Sequence, residues 1–446
     1  MKKILIIGAG RSSTILIEYL LKQSELYNWQ ITVADANIDL AKSKTHHPNG
    51  KAEELDIFDV KKRQQLIKEH DFVISMLPAS MHTEIAEDCV RLGKSMATAS
   101  YVSDSMKALD KYAREKNIVL FNELGLDPGI DHASAMKIID HIHQQRGKVI
   151  TFHSYCGGIV APESNDNPWG YKISWNPRNV VMAGSSGPAE YLKDGQIKII
   201  PYIQLFKDIS NLKINDFEFD AYANRDSIKY IDAYQIPEVK NILRGTLRYK
   251  NFCKAWNIIV NAGLTDDAVL IDASNLSYQD WINMFLNTNS DEKNIRKKFI
   301  DQFTYLGTTD SDVMEKLDFL GLFSDSKIQR PNKGTSAMIL QSILEDKLQL
   351  KENDRDWVVM YHFFEYEIKG KKYQLESYFD RKGKNAFHTA MSETVGLPLG
   401  IVVKNYLLGK IPLKGVQIPT IQEIYTPLLE ELKTLGIEFK EKIYSI

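Results

Sequence analysis

The sequence predicts an α/β fold in which a doubly wound parallel sheet opens the chain and a second domain follows. Three observations near the N-terminus carry this prediction. The apolar run Lys3-Ile4-Leu5-Ile6-Ile7 leads straight into a Gly8-Ala9-Gly10 turn, which is typical of a strand buried on both faces of a parallel sheet. Apolar residues then recur with a helical period over residues 15–21. A second strand follows at residues 30–34 and ends at Asp35.

Strand, Gly-x-Gly turn, helix, strand and acid, in that order, predict the dinucleotide-binding unit of a Rossmann domain. The glycines let the backbone approach a pyrophosphate at the helix N-terminus, although Ser13 stands where the usual fingerprint has its third glycine. Asp35 can accept hydrogen bonds from both ribose hydroxyls of an adenosine and would repel a 2′-phosphate. Because no arginine follows in residues 36–39, we expect NAD to be favoured, with NADP as the alternative.

Strands and amphipathic helices continue to alternate after Asp35 and complete a six-stranded nucleotide-binding domain by about residue 130. We expect the third to sixth strands at residues 52–55, 71–75, 95–99 and 118–122. We expect helices at residues 60–69, 81–92 and 103–116. Ser103 is a suitable cap for the last helix, and Pro78 ends the fourth strand at the edge that faces the dinucleotide in such sheets.

The character of the chain changes from Lys148 onwards. Residues 149–155 predict a strand with aromatic content, and residues 156–158 predict a flexible run. The polar, proline-bearing stretch at residues 161–168 is too long for a simple connection, so we expect a binding segment there.

The last third of the chain predicts a hairpin and a long helix. The hairpin strands lie at residues 357–368 and 372–378 around a glycine loop. The helix at residues 386–408 should be kinked by Pro398, and its apolar composition predicts burial against the first domain. The sequence does not give the order of elements within residues 197–330.

Bulk properties exclude several classes of function. The chain has 446 residues, a net charge of −2 and 43% hydrophobic residues, so it has no electrostatic footprint for nucleic acid or for an anionic membrane. No apolar run approaches the length that spans a bilayer, and the N-terminal run does not fit a signal peptide. Its three cysteines fit reduced thiols and no metal motif. We therefore expect a cytoplasmic protein without a metal site.

Four polar clusters are too irregular to be explained by packing alone. They are residues 97–103, residues 122–132, residues 155–158 with the loop after them, and residues 224–227 together with 243–249. Several of these stretches resemble motifs of the glutamate-forming saccharopine dehydrogenase family, which includes the dehydrogenase half of aminoadipic semialdehyde synthase. The matching stretches are Glu123-Leu124-Gly125-Leu126-Asp127-Pro128-Gly129-Ile130-Asp131-His132, Ser154-Tyr155-Cys156-Gly157-Gly158, Asn224-Arg225-Asp226-Ser227, Leu243-Arg244-Gly245-Thr246-Leu247-Arg248-Tyr249 and Ala390-Met391-Ser392-Glu393-Thr394-Val395-Gly396-Leu397-Pro398.

The resemblance implies a domain organisation and a homodimer. The Rossmann domain would comprise residues 1–130 plus about 387–412. A second α+β domain, for substrate binding and dimerisation, would comprise residues 131–386 plus 413–446. It would carry a mainly helical insertion at about 255–350.

The resemblance also implies an oxidoreductase of lysine metabolism. Saccharopine, NAD(P)+ and water would give glutamate, 2-aminoadipate 6-semialdehyde and NAD(P)H by hydride transfer from the carbon on the secondary amine. Saccharopine carries three carboxylates, and the planar guanidinium groups of Arg225 and Arg244 suit carboxylates. By the same resemblance, the substrate contacts are Ser100, Tyr101, Arg225, Arg244, Gly245 and Thr246.

A base must take the amine proton, and a carboxylate or thiol near the nicotinamide could serve. Asp127 is our first candidate because it lies in the Leu126-Asp127-Pro128-Gly129 turn. Cys156 and His132 are the other candidates. An aspartate in a turn can instead act only as a local cap, and a free cysteine can serve only packing.

The cofactor contacts follow partly from the fingerprint and partly from the resemblance. They are Gly8, Gly10, Arg11, Ser12, Asp35, Leu77, Pro78, Asp127, Ser174 and Trp175. Trp175 could equally be a core residue. The fungal enzymes of the family carry an arginine after the second strand, where this chain has Asp35-Ala36. The lysine–ketoglutarate reductase half of the bifunctional enzyme is absent, so we expect saccharopine to come from a separate enzyme.

Two other functions stay open at the level of sequence. A carboxynorspermidine- or homospermidine-type reductase shares the fold and makes a similar secondary amine, but diamine substrates would call for acids in place of Arg225 and Arg244. A nucleotide-sensing regulatory protein without turnover belongs to a different class.

Overall fold

The computed structural model describes residues 1–185, 187–288 and 292–446. Numbered along the chain, the strands are β1 (Lys2–Ile7), β2 (Trp29–Asp35), β3 (Gly50–Glu54), β4 (Phe72–Ser75), β5 (Ser95–Thr98), β6 (Val119–Phe121), β7 (Lys148–Val160), β8 (Ala189–Lys193), β9 (Gln196–Ile200), β10 (Ile209–Ile214), β11 (Phe217–Ala223), β12 (Asn241–Tyr249), β13 (Leu270–Asp272), β14 (Lys333–Thr335), β15 (Asp356–Ile368), β16 (Lys371–Lys382), β17 (Gly415–Gln417) and β18 (Lys440–Ser445). The helices are α1 (Thr14–Tyr27), α2 (Ile38–Ser43), α3 (Val60–Glu69), α4 (His82–Leu92), α5 (Asp104–Ala108), α6 (Asp110–Glu115), α7 (Ile130–Gln144), α8 (Pro177–Val181), α9 (Tyr230–Ala233), α10 (Phe252–Asn261), α11 (Tyr278–Asn283), α12 (Ile295–Gln302), α13 (Ser311–Phe319), α14 (Ser336–Lys347), α15 (Ala390–Leu407) and α16 (Gln422–Thr434).

The chain forms two compact units. The first comprises Met1–Gly147 and Phe379–Glu441, and the second comprises Lys148–Tyr378 and Lys442–Ile446. These boundaries differ from the expected ones, since residues 131–147, 379–386 and 413–441 lie with the first unit. The reason is packing, because α7 contacts α16 and β17 pairs with β6.

The first unit is built on a parallel sheet with the strand order β17-β6-β5-β4-β1-β2-β3. Every described pairing in it is parallel, and β1 to β6 have the strand order of a dinucleotide-binding Rossmann sheet. The predicted doubly wound sheet is therefore confirmed. The seventh strand, β17, was not predicted, because its three residues follow a long helix and carry no strand signal of their own.

Helix α15 packs closely against α1 within the first unit. A Cβ added at Gly396 would lie 2.7 Å from the Leu16 backbone nitrogen, and one at Gly400 would lie 2.5 Å from the Tyr19 ring. The two glycines therefore let the helix backbones approach each other. This packing explains the burial predicted for the long apolar helix, which contains Pro398 in its interior.

The helix predicted at residues 103–116 is instead two short helices, α5 and α6, which meet at Leu109. Each helix is only five or six residues long, and the periodic apolar pattern did not reveal the interruption. The expected cap is present, because the Ser103 hydroxyl accepts the Met106 backbone N–H.

The second unit contains a mixed sheet with the path β10-β11-β12-β7-β15-β16-β18, to which β8 and β9 add through β12. The prediction of a flexible run at residues 156–158 is wrong, because β7 continues without a break to Val160. Its pairing with β15 covers Cys156, Gly157 and Gly158. A Cβ at Gly157 would lie 2.8 Å from the Leu247 side chain, so this glycine serves close packing rather than flexibility.

Helices α10 to α14 and the short pair β13–β14 form the stretch that we expected to be a mainly helical insertion. Its core includes Trp256 and Trp281, both essentially buried. In the polar loop at residues 161–168, the Asp166 carboxylate pairs with the Lys172 ammonium at 2.8 Å and also with Lys351. These lysines lower the pKa of Asp166 to about 2.

Candidate active site

The glycine turn at the end of β1 has the geometry of a pyrophosphate-binding loop. Gly8 has a φ of 107°, and a Cβ there would lie 2.9 Å from the Met76 carbonyl oxygen. Only glycine fits this approach to the end of β4. A 3-10 turn at Arg11–Ser13 then leads into α1. Predicted contacts Gly8, Gly10, Arg11 and Ser12 therefore lie on one loop at a helix N-terminus, where backbone N–H groups favour an anion.

Asp35 links this turn to the end of β2. Its Oδ2 accepts the Ala9 backbone N–H at 2.7 Å, and its Oδ1 accepts the Asn37 N–H at 2.8 Å. Both carboxylate oxygens therefore hold backbone groups, and Asp35 fixes the shape of the loop. This structural task was not anticipated from the sequence.

Lys44 is a functional candidate that the sequence analysis missed. Its ammonium donates to the Gly10 carbonyl at 2.6 Å and to the Thr14 hydroxyl at 2.9 Å. Burial lowers the pKa of Lys44 to about 8, although the charges of Asp35 and Glu18 oppose the shift. The residue carries no motif, because it follows α2 and reaches the glycine turn only through the fold.

The carboxyl ends of β4 and β5 carry the next predicted residues. Leu77 is half-buried and Pro78 is exposed in the segment after β4. Ser100 follows β5, and its hydroxyl lies 2.8 Å from His82 Nε2. His82 Nδ1 lies 2.8 Å from the Ser75 hydroxyl, so one imidazole joins the ends of both strands. Burial lowers the pKa of His82 to about 4, which keeps the ring neutral at physiological pH.

Tyr101 and Asp127 meet at the same sheet edge. The Tyr101 hydroxyl donates to Asp127 Oδ1 at 3.1 Å. Asp127 is half-buried and lies in a tight loop in which the Gly125 N–H bonds to the Pro128 carbonyl at 2.8 Å. A Cβ at Gly129 would collide with the Gly125 backbone at 2.0 Å. The loop therefore presents a partly accessible carboxylate on a constrained backbone.

His132 lies behind this loop and is fully buried. Its Nε2 is 2.8 Å from Glu123 Oε2, and its Nδ1 is 3.5 Å from Asp131 Oδ2. Glu123 Oε1 accepts the Val102 N–H at 3.0 Å, and Asp131 Oδ1 accepts the Gly129 N–H at 2.6 Å. Enclosed between two carboxylates, His132 supports the loops that carry Tyr101 and Asp127.

In the second unit, one face of the sheet collects several predicted substrate residues. Side chains alternate along a strand, so Arg244 and Thr246 share a face of β12. Thr246 is in register with Cys156 of β7 and with Tyr222 of β11, and residues in register point to the same face. The structure therefore brings Arg244, Thr246 and Cys156 together.

Arg244 and Arg225 differ in their surroundings. The Arg244 side chain is 1% exposed, and its guanidinium lies 4.4 Å from the centre of the Tyr230 ring. Its backbone N–H donates to the Ser227 hydroxyl at 2.9 Å. Arg225 is exposed and has a φ of 53°. Arg244 is thus a buried arginine that packs against Tyr230, whereas Arg225 is exposed at the surface of its unit.

Gly245 permits a close approach between neighbouring side chains. A Cβ at Gly245 would lie 2.7 Å from the Tyr155 ring, so a larger residue would not fit there. The predicted substrate contact of Gly245 is therefore one made by its backbone. Ser174 is buried, and its hydroxyl has no hydrogen-bond partner among residues 1–185, 187–288 and 292–446. Trp175 is half-buried, and its Nε1 donates to the Tyr171 hydroxyl at 3.0 Å.

Two kinds of site are not found in the part of the chain that the structure describes. No group of three or more histidine, cysteine, aspartate or glutamate side chains has a metal-binding arrangement there. No helix in that part is both long enough and apolar enough to cross a bilayer. The three cysteines are free and buried.

Two family models cover most of the sequence. The saccharopine dehydrogenase NADP binding domain matches residues 4–121, and the saccharopine dehydrogenase C-terminal domain matches residues 125–437. The chain belongs to the saccharopine dehydrogenase family. The family membership inferred from the motifs is thereby confirmed.

Individual relatives cover the full length of the chain. It is 35% identical over 452 residues to saccharopine dehydrogenase [NADP(+), L-glutamate-forming] of Pyricularia oryzae, with 99% of both sequences covered. The structure of apo saccharopine dehydrogenase (L-Glu forming) from Saccharomyces cerevisiae matches with a TM-score of 0.87 and 33% identity, over 100% of both chains. The mitochondrial alpha-aminoadipic semialdehyde synthase of Bos taurus is 34% identical to this chain. The match covers 98% of this chain but only 47% of the bovine protein.

These comparisons correct the expected preference for NAD. The family model of the nucleotide domain is that of an NADP binding domain, and the fungal relatives are named as NADP(+) enzymes. The prediction from Asp35 was therefore wrong. It rested on the Asp35 carboxylate alone, each oxygen of which accepts one backbone N–H. It also overlooked the Lys44 ammonium beside Gly10.

Proposed function

We propose that this protein is an L-glutamate-forming saccharopine dehydrogenase that uses NADP. In the oxidative direction, saccharopine, NADP+ and water would give glutamate, 2-aminoadipate 6-semialdehyde and NADPH. The observation that carries the proposal is the buried Arg244 guanidinium on the same strand face as Thr246 and Cys156. Such a cation suits an anionic amino acid substrate, and the names of the full-length relatives point to the same reaction.

The proposed task of the two arginines in the second unit is to bind carboxylates of the substrate. Arg244 would form paired, charge-assisted hydrogen bonds to one carboxylate, each contributing about 1.5–3 kcal/mol. Arg225 would bind a second carboxylate at the protein surface. The further polar contacts that we propose are Gly245 and Thr246 of the second unit and Ser100 and Tyr101 of the first unit.

Oxidation of the secondary amine needs a proton acceptor and a water molecule. Asp127 is the proposed base, because its carboxylate is partly exposed and is held by the Tyr101 hydroxyl. It would take the amine proton as the neighbouring carbon loses a hydride. Water then adds to the resulting iminium carbon, and cleavage of the carbon–nitrogen bond releases glutamate. Cys156 is the alternative base, whereas the enclosed position of His132 fits a supporting role.

The glycine turn fits a nicotinamide dinucleotide, and when bound that cofactor would accept the hydride from the substrate. Gly8, Gly10, Arg11 and Ser12 would face its pyrophosphate, and Lys44 would supply a positive charge nearby. Leu77 and Pro78 would lie along the nicotinamide half, with Asp127, Ser174 and Trp175 as further contacts. Asp35 would shape the loop that receives the adenosine.

The alternative substrates are positively charged, so their site would need negatively charged side chains instead of arginines. Carboxynorspermidine and homospermidine are polyamines, whose ammonium groups would require carboxylates near the reacting nitrogen. The buried Arg244 disfavours that class, because like charges at close range repel.

A substrate panel tests the proposal. Purified protein with NADP+ is mixed with saccharopine or with carboxynorspermidine, and NADPH formation is followed by absorbance. We expect NADPH from saccharopine alone. NADPH from carboxynorspermidine alone would favour the polyamine class. Cofactor binding without turnover of either substrate would favour a regulatory protein.

The proposal includes a cytoplasmic location and a homodimer. Free, buried cysteines are compatible with a reducing compartment, and the bovine relative is mitochondrial by name. Fractionation of cells tests the first expectation. Sedimentation equilibrium of the purified protein tests the second, and a single species of 51.0 kDa would contradict it.

A further inference from the structure

Arg248 carries a positive charge into the interior of the second unit and forms no ion pair in the described part of the chain. Its in-register neighbour is the buried Asp220, whose Oδ2 accepts the Cys253 backbone N–H. The Arg248 side chain is 5% exposed, and Nη1 donates to the Leu247 carbonyl at 2.8 Å. Its Nε has no hydrogen-bond partner in the described part of the chain. Burying a cation without a counter-ion is unfavourable, so its surroundings must stabilise it in another way.

Aromatic rings take the place of a counter-ion. The guanidinium carbon of Arg248 lies 5.2 Å from the ring centre of Tyr171, 5.8 Å from that of Tyr222 and 5.5 Å from that of Phe252. A cation at this distance from a ring face is attracted to the ring, and the attraction increases when water is excluded. Arg248 therefore lies beside both tyrosine rings, which also pack against Phe252 and Phe206.

Each of these two tyrosines, Tyr222 and Tyr171, is next to a residue of the candidate active site. Tyr222 is in register with Thr246 of the neighbouring strand, so the two side chains lie next to each other on one face of the sheet. The Tyr171 hydroxyl accepts a hydrogen bond from Trp175 Nε1 at 3.0 Å. One buried cation is thus connected through one ring to Thr246 and through another ring to Trp175.

We propose that Arg248 is a positioning residue that holds the Thr246 hydroxyl through Tyr222 and the Trp175 indole through Tyr171. The inference rests on the proposed function, in which Thr246 binds saccharopine and Trp175 binds the cofactor. In this scheme Arg248 acts through the two rings and not by binding a ligand itself. The contact through Tyr222 should affect the KM for saccharopine, and the contact through Tyr171 should affect the Kd of NADPH.

Two conservative variants separate the connection through Tyr222 from the connection through Tyr171, because each variant keeps the aromatic ring and removes one hydroxyl. Tyr222→Phe should raise the KM for saccharopine about three- to tenfold and leave the Kd of NADPH unchanged, since it removes the hydroxyl of the in-register neighbour of Thr246 on the substrate side. Tyr171→Phe should raise the Kd of NADPH by a similar factor and leave the KM for saccharopine unchanged. Arg248→Met should raise both constants about tenfold or more, and Arg248→Lys should have a smaller effect because it keeps the charge.

The inference is overturned if both tyrosine variants change the two constants equally, or if neither constant changes. A purely structural role for Arg248 would lower the melting temperature without this split between substrate and cofactor. If Arg248→Met does not fold, Arg248→Lys takes its place beside the two tyrosine variants, and unchanged constants in Arg248→Lys together with unchanged constants in both tyrosine variants overturn the inference. Wild-type protein that oxidises no saccharopine would overturn the proposed function itself, whereas active wild-type protein with unaffected variants would overturn only the role of Arg248.

Discussion

The Tyr101 hydroxyl donates a hydrogen bond to Asp127 Oδ1 at 3.1 Å, which joins two loops 26 residues apart at the carboxyl edge of the parallel sheet. Both residues were predicted as site residues from separate stretches of sequence. The contact leaves Asp127 partly exposed and fixes its orientation, which is the arrangement that a general base requires.

Asp127→Asn should lower kcat by about 10²- to 10⁴-fold, because the amide cannot accept the amine proton. The Kd of NADPH, measured by fluorescence titration, should change little. Tyr101→Phe is the matched control, since it removes the hydrogen bond but keeps the carboxylate, and it should lower kcat by a smaller factor. An unchanged kcat in Asp127→Asn would remove this residue from the chemistry and leave Cys156 as the candidate.

Arg244→Met should raise the KM for saccharopine by about 10- to 100-fold, because the substrate loses charge-assisted hydrogen bonds. Arg244→Lys keeps the charge but loses the planar fork, so its KM should fall between those of wild type and Arg244→Met. Steady-state kinetics at saturating NADP+ measure both. Identical KM values in all three proteins would show that Arg244 serves only the packing against Tyr230.

Lys44→Met should raise the KM for NADP+ about tenfold, because the ammonium that holds the Gly10 carbonyl and the Thr14 hydroxyl is lost. The KM for saccharopine should stay the same. Lys42→Met is a suitable control, since the Lys42 side chain is 62% exposed and lies 3.9 Å from Asp39. Equal effects of the two substitutions on the KM for NADP+ would argue against a specific role for Lys44.

The fold should lose stability as the pH falls from about 6.5 to about 4. Burial lowers the pKa of His82 from its usual 6.5 to about 4, so in this window the unfolded chain binds a proton that the folded chain does not. The stability from the neutral ring is complete above about pH 6.5 and is lost progressively below it. The loss due to His82 is roughly 3 kcal/mol.

Urea unfolding at several pH values tests this expectation when wild type is compared with His82→Gln. Glutamine can hydrogen-bond to Ser75 and Ser100 but does not titrate. The free energy of unfolding should therefore fall less steeply with acidification in the variant. Parallel pH dependence in both proteins would contradict the assignment to His82.

The sequence was sufficient for the nucleotide-binding sheet, because each of its strands carries a local signal. The run before Gly8, the strand that ends at Asp35 and the strand before Pro78 all have apolar cores bounded by turn residues. Strand β17 was missed because it exists only through its pairing with β6. The break at Leu109 was missed because the one buried residue of each short helix, Met106 and Ala113, keeps a helical spacing across it.

The candidate site was predictable where motifs were present and not where the fold alone brings residues together. Arg244 and Thr246 were found as part of a motif. Arg248 stands in the same stretch, and strand alternation from Arg244 could have placed it on the same face. Lys44 and His82 have no motif, since their contacts with Gly10 and Ser100 depend on tertiary structure. The role of Asp35 was misjudged because a sequence does not show which backbone N–H groups a carboxylate already holds.

The central claim is tested most directly by the products of a single reaction. Purified protein is incubated with saccharopine and NADP+, NADPH is followed by absorbance, and glutamate and 2-aminoadipate 6-semialdehyde are quantified by mass spectrometry. The account predicts equal molar amounts of NADPH, glutamate and semialdehyde. Saccharopine recovered intact, with no NADPH formed by folded protein that binds the cofactor, would contradict it.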